Sequence, residues 1–84
     1  MGVSVEWREI KYRETFEEET RGLIRRRQSD PDCKIEDFEG ILKSLYAMDG
    51  SDHDGRGSVQ DTIMAATIAA YERFIAQWKA ETSN

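Results

Sequence analysis

The stretch that decides the fold is SVQDTIMAATIAAYERFIAQWKAE, residues 58–81. Within it Met64, Ile68, Tyr71, Ile75 and Trp78 recur at helical spacing, while Ile63, Thr67, Ala70 and Phe74 form a second row about a quarter turn away. A helix lying on one surface needs a single apolar stripe. Two rows predict two neighbours, so this helix is expected between two other helices, or between one helix and a partner chain. Ser58, with Asp61 three residues on, marks its start as a capping-box-like pair in which Asp stands for the usual Glu or Gln.

Immediately upstream, DGSDHDGRG (residues 49–57) is too rich in Gly and Asp to continue a helix and is expected to be a turn with positive-φ positions. Before it, Ile35, Phe38, Ile41, Leu42, Leu45 and Met48 fall on one helical face, with Glu36, Asp37 and Glu39 in the first turns where the helix dipole favours acids. Gln28–Lys34 contains the only proline, Pro31, among Ser29, Asp30 and Asp32, and reads as a reversing connector. Earlier still, Tyr12, Phe16, Thr20, Leu23 and Ile24 share a face, and Glu9/Arg13 and Glu17/Arg21 stand in the favourable acid-before-base order four residues apart. Gly22 either weakens this helix or permits close packing. Trp7 and Ile10 point away from the stripe, so either the helix begins near Ile10 or these two side chains face something other than the core.

The reading is an all-α, antiparallel three-helix bundle with helices at about residues 10–27, 35–48 and 58–81. It forms one domain over 1–84, with 1–9 left open and 82–84 a polar tail. At 84 residues a single core only just suffices, and oligomerisation often supplements one of this size. The longest apolar run, Ile63 to Tyr71, is about half of what a bilayer-spanning helix needs, so no membrane span is expected. The first residues, MGVSVE, lack a basic stretch followed by an apolar one, and a lone Cys33 suits a reducing compartment, so a cytoplasmic location is expected. A net charge of −5 opposes nonspecific binding to nucleic acid or anionic lipid and favours a basic partner protein.

Chemistry is sparse. Asp52, Asp54, Gly55 and Asp61 occupy positions 3, 5, 6 and 12 of an EF-hand-like frame, but Gly50 stands where the first ligand belongs, and Asp49 is one place out of register. Asp49, Asp52, Asp54 and Asp61 are therefore the candidate ligands of a distorted divalent-cation site, set against a purely structural turn. His53, the only histidine, has no nucleophile beside it: Ser58 is better explained as a cap and Ser51 as a turn residue. The glycines of Gly55-Arg56-Gly57 lack the strand and lysine of a phosphate loop, and Glu17, Glu18 and Glu19 lack the Glu-x-x-His element of a carboxylate di-metal bundle. Arg25, Arg26 and Arg27 suit the negative end of a helix dipole as well as they would suit an acidic ligand.

No cofactor and no catalytic residue is assigned from these features. The expected function is a small self-associating helical interaction or regulatory module, most simply a two-fold homodimer. The alternatives are a divalent-metal function centred on Asp49–Asp54 and an acidic inhibitor of a basic partner. The second helix is the shortest and, running back from the Asp-rich turn, is expected to cover Met64, Ile68 and Tyr71. Phe74, Ile75 and Trp78 would then extend beyond it and form a partner interface with Trp7 and Ile10.

Overall fold

In a computed structural model, the backbone is described for residues 3–51 and 58–82 and the side chains for residues 7–48 and 60–82. Three helices follow in order: α1, Val3–Ser29; α2, Ile35–Ser51; and α3, Ser58–Thr82. The all-α, three-helix reading holds, with longer elements than the sequence suggested. The first helix extends back to Val3 instead of starting near Ile10, so Trp7 and Ile10 do face away from the core. The second helix takes in Asp49, Gly50 and Ser51, where a break was expected.

The connector between α1 and α2 is closed by its own polar side chains. Asp30 N donates to Arg26 O at 3.0 Å as the last helical bond, and Pro31 then disfavours helix at the residue before it. The Asp30 carboxylate accepts from Asp32 N at 3.2 Å, and Cys33 N donates to Asp30 O at 3.1 Å. Lys34 caps α2: its N–H donates to Asp37 Oδ2 at 3.0 Å while Asp37 N donates to Lys34 O at 3.0 Å, so the carboxylate reaches back as in a capping box. Among the described residues α2 therefore begins level with the end of α1.

α3 is the shared element. Both α1 and α2 pack on it, and no comparable backbone approach joins α1 to α2 among the described residues. The two apolar rows thus have two neighbours within one chain. On the α1 side, Thr15, Ala66 and Ala70 are buried, and such short side chains let two helices run close together. Arg27 reaches Glu81 at 3.2 Å and Arg73 lies over the Phe16 ring, so α1 and α3 run in the same direction. By contrast, Glu39 meets Lys79 at 2.9 Å and the Tyr46 hydroxyl donates to Glu72, so α2 is antiparallel to both.

These pairs correct the expected register. α2 covers the C-terminal half of α3, and its last residue, Ser51, comes level with about Thr67 when each residue rises ~1.5 Å. Phe74 and Ile75, expected at an interface, are buried in the chain's own core at 5% and 6% exposure, and Trp78 is half-buried there. The cause is the tight α1–α2 connector combined with the parallel α1 and α3, which end together and set the start of α2 beside the end of α3. Among the described residues, the part that α2 leaves uncovered lies at the opposite end, where α1 before about Thr15 and α3 before about Ala66 project past it.

The core is aromatic. Phe38, with no exposed surface, sits 5.2 Å from Phe74 and 5.6 Å from Trp78 between ring centroids, and Phe74 stands edge-on to Trp78 at 5.8 Å. Leu23 completes the buried cluster from α1. The Arg26 and Arg27 guanidiniums lie over Phe38 at 5.3 Å and over Trp78 at 3.8 Å, closing the end of the bundle with cation–π contacts.

Candidate functional site

The arginine run reads differently once the helices pack. Arg26 and Arg27 are committed to Phe38, Trp78 and Glu81, which leaves Arg25 as the member with no contact of this kind among the described residues. A cluster free to grip phosphate would need all three turned outward. Of the acidic triplet, Glu17 and Glu18 are exposed, whereas Glu19 is half-buried near Tyr71. Burial, then the Glu19 charge, pushes the Tyr71 hydroxyl above its ordinary value, with Arg26 opposing. Tyr46 is pushed up chiefly by its hydrogen bond to Glu72.

Asp52, His53 and Asp54 lie outside the described residues, as does the side chain of Asp49, while Asp61 is exposed in the first turn of α3. Among the described residues no group of three or more His, Cys, Asp or Glu side chains is placed to hold a metal ion, and no helix is long and apolar enough to cross a membrane. Asp30 and Asp37, exposed near the start of α2, use their carboxylates on backbone N–H groups of the connector.

Two shallow grooves follow the junction of α1 and α3. One, of about 470 Å³, has Phe74 and Trp78 as its floor and Ile24, Arg27, Gln28, Gln77 and Glu81 as its walls. The next, of about 440 Å³, shares Ile24 and Gln77 and continues along Thr20, Glu17, Phe16 and Arg13. Their polar groups are amides, the carboxylates of Glu17 and Glu81, the guanidiniums of Arg13, Arg21, Arg27 and Arg73, and the Thr20 hydroxyl, which is spent on Phe16 O; they bind and orient but supply no nucleophile–base couple.

Of the seven large apolar side chains exposed among the described residues, four stand on α1, and the others are Tyr46 and Met48 on α2 and Ile63 on α3. Trp7 is 41% exposed, Ile10 54% and Ile24 42%, with Tyr12 at 39% where α2 no longer reaches. Trp7, Ile10, Glu14, Glu17, Arg21 and Ile24 succeed one another at alternating steps of three and four, so they line one outward seam of the helix. Ile24 was read from the sequence as part of the core stripe. Its position at the edge of that stripe, about 100° round from Leu23, was the available signal. Of the five residues assigned to an interface, Trp7 and Ile10 lie on this surface, and Phe74, Ile75 and Trp78 belong to the core cluster or pack against it. No protein-family model, curated protein or solved structure matches the chain.

Proposed function

We propose that the chain is a helical interaction module without catalytic activity that self-associates through α1. The observation supporting this reading is the apolar seam: Trp7, Ile10 and Ile24 stand on the outer face of a helix whose inner face is already occupied by α3. Large apolar side chains scattered singly are ordinary on a protein surface, but Trp7 and Ile10 stand one turn apart at one end of this seam and Ile24 about 21 Å along it, with Glu14, Glu17 and Arg21 between, an arrangement that suits a partner helix lying along the seam; aromatic anchors are enriched at interfaces. A second copy of the chain is the simplest partner, because two-fold dimers are the commonest oligomers.

Sedimentation equilibrium over a micromolar concentration series tests the reading. The expected mass is twice 9.7 kDa at the upper concentrations, and Trp7→Ala and Ile10→Ala shift the dimer toward monomer without loss of helicity. A mass of one chain at every concentration refutes it.

A further inference from the structure

Four charged residues cross α1 in one row that borders its groove with α3: Glu9, Arg13, Glu17 and Arg21, each four residues from the next and all exposed, the last three also lining that groove. Their signs alternate, and none of the four forms an ion pair with another described residue. An even-numbered alternating row has a symmetry property. Laid antiparallel against its own copy, it opposes unlike charges at every position, whereas laid parallel and in register it opposes like charges throughout.

Building on the self-association reading, we infer that a second copy docks with its α1 antiparallel to this one about a two-fold axis passing between Arg13 and Glu17. Glu9 then faces Arg21 of the copy, and Arg13 faces Glu17, each pair occurring twice. Rows of residues four apart are the ridges that interdigitate in the commonest class of helix packing, so a row of this kind can lie alongside its equivalent. The same register brings Trp7 of one copy level with Leu23 and Ile24 of the other. The exposed Trp7 and Ile24 side chains thereby gain cover at both ends of the contact. The row selects orientation and partner more than it adds affinity, since exposed ion pairs contribute little individually while like-charge juxtaposition is penalised.

The test is charge reversal read by sedimentation equilibrium at low salt, with circular dichroism to confirm that each variant is folded. Arg13→Glu alone, or Glu17→Arg alone, puts like charges together twice across the axis, and each is expected to raise the dimer dissociation constant by about tenfold. An equimolar mixture of the two single variants restores all four attractive contacts between unlike chains, so it is expected to regain the unmodified affinity. The double variant Arg13→Glu/Glu17→Arg, again self-complementary, is expected to do the same. The mixture is the decisive arm, because rescue between two chains cannot arise from repaired folding within one. A dimeric parent protein whose single variants mix with no gain in affinity overturns the antiparallel α1 contact and leaves self-association standing. A parent protein monomeric throughout overturns both.

Discussion

Replacing Phe38 with Ala removes the one large side chain with no exposed surface among the described residues. Burying such a ring and then deleting it costs about 3–5 kcal/mol, the transfer free energy of the lost atoms plus that of the cavity left behind. The edge-on contact with Phe74, the tilted contact with Trp78 and the Arg26 guanidinium over the ring are lost at the same time. These push the cost toward the upper end of that range, because the groups around the ring come from both other helices and cannot all close in together. A domain of this size is stable by about 5–15 kcal/mol, so the variant forfeits about a quarter or more of the total. With 84 residues, the unfolding entropy is about 0.18 kcal/mol/K, and a 4 kcal/mol loss lowers the melting temperature by about 20 °C. Thermal and urea melts at one fixed protein concentration measure this, with Ile68→Ala as the comparison. Ile68 is only half-buried, so its truncation is expected to cost clearly less. A fall of less than about 5 °C for Phe38→Ala, or a larger one for Ile68→Ala, refutes the placement of the core at the aromatic end of the bundle.

Two further outcomes follow from local features. A Cβ built on Gly22 meets nothing within 4 Å, so the glycine is not needed for close packing. Gly22→Ala should therefore stabilise by about 0.5–1 kcal/mol, read as a rise of about 3–5 °C in the melt, and a fall instead would mean the position is crowded. The Tyr71 hydroxyl is held above its ordinary value of 10.0 in the folded chain. Its contribution is thus fully present below pH 10 and is lost as pH rises from there through the folded-state value, because the unfolded chain releases the proton first. Melts from about pH 8 to about pH 11 should show a shallower alkaline decline for Tyr71→Phe than for the parent chain, and parallel declines would rule out the buried environment of this ring.

Three helices, and α3 as the one with two apolar neighbours, are legible in the order of residues alone. Helical periodicity and caps are local properties: the rows through Met64–Trp78 and Ile63–Phe74, the Pro31 connector and the Ser58 start can all be read within a few turns of chain. The start of α1 was less legible, because the alternation of Val3, Val5 and Trp7 with Ser4 and Glu6 is too short to establish a strand and yet shows no helical period, and Gly50 at the end of α2 looked like a stop although the helix includes it. Which half of α3 is covered was decided only by the tertiary structure. That choice depends on the relative directions of α1 and α3 and on where α2 begins, and those follow from contacts between residues far apart in sequence, such as Arg27 with Glu81, Glu39 with Lys79 and Phe38 with Trp78. Hence Phe74 and Ile75 moved from an imagined interface into the core, and Ile24 moved from the imagined core to the surface. Periodicity fixes which side chains share a face of a helix, but the height at which a neighbouring helix stops determines which of them stay in water.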